Sequence, residues 1–238
     1  MFLILIFCFS TSKVIVAAKK LNDENKIFKQ LKNIEENSII YENSNGVKKD
    51  NNYKKLKSIN EDFIGWISIF DTKIDYPVMY TPNIPNYYLN RSFDKEYSIS
   101  GVPYIGDDSS IYSKNIIIHG HNMENDTMFG QLINYKSEKY CKEHNEIIFN
   151  TCESENKYKV FVVLDLSVEK IVDDNYIYYS SLDEATEYEY DEYISSIKEN
   201  ALYIADDFPK NNEQILTLST CSDDDSRFII IAKKIDND

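Results

Sequence analysis

Cys221 closes the apolar run Leu216-Thr217-Leu218-Ser219-Thr220, and Arg227 opens a second apolar run six residues later. Asp223, Asp224 and Asp225 lie in the turn between them. Two neighbouring strands joined this way put a thiol at the end of one and a guanidinium at the start of the next. A free thiol, with a pKa of about 8.5, is a weak nucleophile at neutral pH, and a nearby cation favours the reactive thiolate. A cysteine nucleophile is usually served by a histidine distant in sequence and adjacent in the fold. The segment Asn115-Ile-Ile-Ile-His-Gly-His-Asn-Met123 supplies one, as a strand ending in His119 and His121 on either side of Gly120. The third histidine, His144, sits in a charged segment and reads as a surface residue.

Each of these residues also has an ordinary structural reading. Cys221 could be a buried inert thiol, since free cysteine is among the most buried residue types. His121 could be a turn histidine bonded to backbone, and Arg227 could pair with Asp223, Asp224 or Asp225. Against that, arginine stays charged at any working pH and offers a fork of donors, which suits it to hold a peptide carbonyl and to stabilise an oxyanion.

In their order along the chain, strand-Gly-His-Asn-Met, Thr-Leu-Ser-Thr-Cys and the arginine of the next strand resemble a sortase, a cell-wall cysteine transpeptidase of Gram-positive bacteria. Gly65-Trp66-Ile67, Ile74-Asp75-Tyr76-Pro77-Val78, Tyr88-Leu89-Asn90, Thr127-Met128-Phe129 and Asp174-Asn175-Tyr176-Ile177 are similar to segments of class B, in the same order. The likeness runs from about Tyr53 to the C-terminus. It implies a mainly β fold with peripheral helices (β+α), an eight-stranded β-barrel with a long helix between its sixth and seventh strands. It also implies His121, Cys221 and Arg227 as catalytic residues, and Asn90, Ser219, Tyr176 and Ile177 lining the substrate groove. His119 falls where relatives often carry an aromatic residue, and reads as a flank and modulator.

The reaction implied is attack of Cys221 on the carbonyl of a threonine in a C-terminal sorting motif of a secreted protein. His121 protonates the leaving amine, and an amino group of peptidoglycan then displaces the thioacyl-enzyme. Thiolate and imidazolium together are a minority state at ordinary pKa values unless the site shifts them. No metal or organic cofactor is called for. Sorting motifs of the Asn-Pro-x-Thr and Leu-Pro-x-Thr-Gly types are both open. So are two other functions for the same residues, a secreted cysteine protease with water as acceptor and a non-catalytic peptide-binding wall module.

Those side chains need a scaffold. Short apolar runs bounded by turn residues begin near Gly65 and number eight, namely 66–70, 74–80, 101–105, 115–119, 146–150, 158–168, 214–220 and 227–233. Runs of this kind suggest an antiparallel or mixed barrel. Helical stretches are expected at 127–135 and 184–200, and before the barrel at the three-and-four spacings of Ile27, Leu31 and Ile34 and of Tyr53, Leu56 and Ile59. The division expected is a targeting segment at 1–19, a helical spacer at 20–52 and a catalytic domain at 53–238. The first stretch, apolar through Phe9 and again at 14–18, reads as a signal anchor or a cleavable signal, and either places the domain outside the cytoplasm.

A net charge of -14 without a long basic run argues against nucleic acid as a partner. The acidic stretch 183–192 reads as a solvated helix face, its carboxylates lacking calcium-loop spacing. Cys141, His144 and Cys152 give three zinc ligands without a fourth, and Cys141 and Cys152 either pair or stay free.

Overall fold

The computed structural model describes residues 2–37, 39–43, 46–50, 52–175, 177–211 and 213–235, with side chains from 19 to 37 and from 52 onward. Helix α1 (Phe2–Glu36) leads to a hairpin of β1 (Ile39–Asn43) and β2 (Gly46–Asp50), then to α2 (Tyr53–Ile59). Four strands follow, β3 (Phe63–Ser68), β4 (Asp75–Met79), β5 (Tyr104–Ile105) and β6 (Asn115–His119). Helix α3 (Glu138–Glu143) precedes β7 (Glu146–Thr151) and β8 (Lys157–Ser167). The chain then forms α4 (Val168–Asp173), α5 (Glu187–Asn200), β9 (Ala201–Ile204), β10 (Ile215–Asp223) and β11 (Ser226–Ile235).

Strand order is β11-β10-β6-β5-β4-β3-β7-β8-β9, and β11 also pairs with β8. Eight strands therefore close into a barrel, with β9 hung on β8 outside the closure. Closure removes the free edges that an open sheet exposes. The helix expected between the sixth and seventh barrel strands is α5, which lies between β8 and β10.

Side chains alternate across a strand, and here both faces are covered. Leu216 and Leu218 of β10 join Phe228, Ile230 and Ala232 of β11 in the cluster that fills the barrel. Their neighbours Ile215, Ile229 and Ile231 face outward, beneath Tyr190, Tyr193 and Ile197 of α5. That double burial explains why β11 reads as an unbroken apolar run over Phe228–Ala232, and why Thr217 and Ser219 of β10 are buried although polar. It also puts Thr217, Ser219 and Cys221 on the outer, α5-side face. Helix α5 starts at a capping box in which Thr186 and Glu189 satisfy each other's backbone donors.

The later turns of α1, within the stretch read as a helical spacer, are seated on the barrel. Phe28 and Leu31 are buried, and the Phe28 ring meets Tyr76 edge-on at 5.4 Å. Lys32 Nζ lies 2.9 Å from the Asp75 carboxylate, which also accepts from Trp66 Nε1 at 2.6 Å. The side chains of residues 2–18 lie outside the described ones, and among the described residues no helix is long and apolar enough to cross a membrane.

Candidate active site

Cys221 and Arg227 are register partners across the antiparallel β10–β11 pair, so the two side chains emerge side by side. Just beyond them the register slips between Cys221 and Asp223, a bulge that ends regular pairing. Such bulges re-aim side chains at the rims of barrels. Cys221 is exposed, whereas Cys141 is buried and its thiol is pushed up to about 12 by desolvation. Burial raises the Cys152 thiol as well. All three of these cysteines are free, and Cys221 is the one open to a substrate.

Arg227 Nη1 donates to the carbonyl of Ser226 at 3.0 Å. Among the described residues it forms no ion pair, so the bridge to Asp223, Asp224 or Asp225 is not made. Asp223 accepts instead from the Asp225 amide at 3.0 Å, and the Asp225 carbonyl accepts from Val168 at 2.7 Å. The turn is held by the Asp223 carboxylate and by the Val168 amide of α4, and among the described residues its carboxylates make no bond to the guanidinium.

Strand β6 runs parallel to β10, pairing Asn115 with Ile215 and His119 with Ser219. This brings the histidine segment to the cysteine, since β10 ends at the same rim as β6. The Gly120 amide continues the ladder by donating to the Ser219 carbonyl at 3.1 Å. His121 lies beyond the strand, partly buried, with Nε2 2.8 Å from the carbonyl oxygen of Leu89. Its own carbonyl accepts from the Phe129 amide at 2.9 Å. Among the described residues His121 and Cys221 share no hydrogen bond.

The other expected site residues divide. Ser219 is buried on the outer face of β10, and its Oγ lies 2.9 Å from the hydroxyl of Tyr179. Asn90 is exposed at the end of a 3-10 turn, Tyr87–Asn90, immediately after the Leu89 carbonyl that His121 uses. Ile177 opens another such turn, Ile177–Tyr179, and packs with the cluster under α5. Tyr176 lies outside the described residues.

Three contributors were not singled out from the sequence. Tyr104 and Tyr179 flank His119, each with ring centroids 5.6 Å from its imidazole. Desolvation in that slot lowers the His119 pKa from 6.5 to about 4, Asp107 opposing the shift and Arg227 adding to it. The third is the Leu89 carbonyl, a backbone group with no side-chain signature. Tyr179 carried one faint signal, its place in Tyr-Ile-Tyr-Tyr179, two residues after Ile177.

Among the described residues no group of three or more His, Cys, Asp and Glu is placed to hold a metal ion. The arrangement offers an exposed thiol, a fixed cation beside it, and an imidazole oriented by a backbone carbonyl. Those parts suit nucleophilic acyl transfer.

Comparison with known proteins points the same way. The family model described as the sortase domain matches residues 67–235. The curated relative "Sortase B" of Listeria monocytogenes is 26% identical over 218 residues, covering 91% of this chain and 85% of that protein. "Sortase B" of Staphylococcus aureus is 28% identical over 190 residues, covering 77% of this chain and 74% of that protein. The solved structure of sortase B from B. anthracis superposes with a TM-score of 0.78 at 27% identity, covering 92% of this chain and 99% of that one.

Proposed function

The chain belongs to the sortase family, as a class B sortase and a cysteine transpeptidase, and from that premise we propose how its residues divide the work. Cys221 is the nucleophile, Arg227 the oxyanion-stabilising cation and His121 the proton carrier. The observation that carries the reading is the register pairing of an exposed Cys221 with an Arg227 that forms no ion pair among the described residues.

The Cys221 thiolate attacks the carbonyl carbon of the threonine in a sorting motif, and Arg227 stabilises the oxygen as it takes the negative charge. Collapse of the tetrahedral adduct breaks the peptide bond, and the imidazolium of His121 gives its proton to the departing amine. The acyl group is left as a thioester on Cys221. An amino group of peptidoglycan attacks that thioester, passes a proton to neutral His121, and leaves the new amide with Cys221 again a thiolate. Leu89 offers only a carbonyl to Nε2, so Nε2 keeps its proton throughout and Nδ1 exchanges the other one.

For the substrate, Asn90, Ser219, Tyr176 and Ile177 are read as the groove wall, supported by the position of Ser219 two residues before the nucleophile on the same face. The acyl donors are secreted proteins bearing a C-terminal sorting signal, and the enzyme works at the cell envelope. Residues 1–19 tether it to the membrane with the catalytic domain outside, a reading tested by fractionating cells and probing intact cells with protease.

The transpeptidase reading is tested by mixing the protein with a panel of sorting-motif peptides and excess amine, beside Cys221→Ala. Cleavage after threonine with amine capture, absent in the variant, supports it. Hydrolysis alone indicates a protease, and no Cys221-dependent product indicates a binding module.

A further inference from the structure

The connection between β8 and α5 is fixed to the barrel at two places along β6. Near the start of the strand, Asn115 donates from its backbone amide to Ser181 at 2.8 Å and from Nδ2 to Ser180 at 2.9 Å. Asp183 accepts there from Lys114 and Ser113 at 2.7 and 2.8 Å. Four residues further along β6, roughly 13 Å at strand rise, stands His119. Its ring meets Tyr179 of the connection, whose hydroxyl reaches Ser219 at 2.9 Å. On its other side it meets Tyr104 of β5, and a Cβ on Gly106 would lie 2.9 Å from its Nε2.

We propose that His119 is a positioning residue for the sorting peptide: it seats Tyr179, and with it the Ile177–Tyr179 wall, on the Ser219 face beside Cys221. The wall-to-barrel spacing set there fixes the width of the peptide channel at the bond to be cut. The proposal rests on the transpeptidase reading and assigns a determinant of peptide selection within it.

Three features support the assignment. The anchors at 113–115 hold the connection by backbone and carboxylate contacts at the end of β6 remote from Cys221. At its other end Tyr178 is buried under α5 with its hydroxyl bonded to Asp174, Ser196 and Asn200, and the His119–Tyr179–Ser219 contacts tie the wall to β6 and β10. The slot is sized for an imidazole, because Gly106 presses on its edge with no side chain. The ring also stays neutral across the working range. Desolvation is the main cause that disfavours its cation; Asp107 pulls the other way, and Arg227 from β11 adds a smaller push in the same direction as desolvation. Tyr104 and Tyr179 beside it are raised in pKa by their own burial and are neutral. His119 therefore adds no second charge to the field of Arg227 and carries no proton in turnover.

The test is steady-state amine conjugation by wild type, His119→Ala, His119→Phe and Tyr179→Phe, over peptides varied at and before the threonine. Removing the ring is expected to raise KM about tenfold and flatten the preference among peptides, with kcat at saturating peptide within about threefold of wild type. His119→Phe, which keeps a flat ring, is expected to recover most of the KM and to keep the wild-type pH profile of kcat/KM. Tyr179→Phe is expected to fall between wild type and His119→Ala. An unchanged KM in a folded His119→Ala, or a His119→Phe that melts like wild type yet fails like alanine, overturns the proposal. So does loss of a limb of the pH profile in His119→Phe, which would make His119 a proton carrier. Wild type supplies the control for transpeptidation itself. Should it form no conjugate, the seat is read from peptide protection of Cys221 against alkylation, expected to weaken in His119→Ala and overturned if equal in all variants.

Discussion

The Nε2 atom of His121 lies 2.8 Å from the carbonyl oxygen of Leu89, 32 residues earlier in the chain. Leu89 belongs to the 3-10 turn that ends in Asn90, so the proposed proton carrier is oriented by the backbone of a segment proposed to touch the substrate. Replacing His121 with alanine removes the proton path and leaves the thiol in place. The expected loss in kcat/KM for amine conjugation is about a hundredfold to ten-thousandfold. Cys221 in that variant should still react with a small alkylating reagent, which mass spectrometry of the intact protein checks.

The carbonyl that His121 uses is backed by Gly101. This glycine has a φ of 59°, in the left-handed region, and a Cβ there would collide with the carbonyl oxygens of Leu89 and Tyr88. Gly101→Ala must both strain the backbone and push the Leu89 carbonyl away. A destabilisation of about 2 kcal/mol is expected in denaturant titration. Activity measured well below the melting temperature should also fall, because the acceptor of His121 has moved.

Arg227 is the register partner of Cys221 and forms no ion pair among the described residues, so its charge is available to a developing oxyanion. Arg227→Ala should lower kcat about a hundredfold to a thousandfold. Arg227→Lys should recover little of that, because a point charge on a flexible stem cannot reproduce the guanidinium fork. A comparison of kcat for the two variants decides whether charge alone suffices.

His119 makes the fold sensitive to acid. Its pKa is 6.5 in a solvated chain and about 4 in the fold, so between those values the unfolded chain binds more protons. The associated stability is fully present above the unfolded pKa and is lost as pH falls through 6.5 toward 4. The shift is worth at most about 3 kcal/mol, less for the ring's residual exposure. Denaturant titrations near neutral pH and near the folded-state pKa should show a smaller acid loss in His119→Phe than in wild type. Equal losses would mean that the ring is solvated.

The barrel was legible because its strands bury side chains on both faces and are cut apart by turn residues. The runs 115–119 and 227–233 fall within β6 and β11, and 214–220 follows β10 to one residue before its cysteine. Strand β9 left no such trace, since its four residues alternate half-buried and exposed directly after a helix. Helices α3 and α4 were equally silent at six residues each, too short for a periodicity, although Ser137 and Ser167 cap them. The run 158–168 accordingly took Val168, the first residue of α4, as the end of a strand. At the site, residue type and order singled out Cys221, Arg227 and His121. What orients them did not show, because the Leu89 carbonyl is backbone and the seat of Tyr179 on His119 joins residues 60 apart in the chain.

Intact-protein mass spectrometry after mixing the enzyme with a sorting peptide, first without amine and then with it, tests the acyl-transfer chemistry most directly. Without amine, an adduct with the mass of the peptide through its threonine should appear on wild type, map to Cys221, and be absent from Cys221→Ala. Adding amine should discharge it into a peptide–amine conjugate. An adduct on Cys152 or Cys141, or conjugate formation that survives Cys221→Ala, would contradict the assignment of Cys221 as the nucleophile.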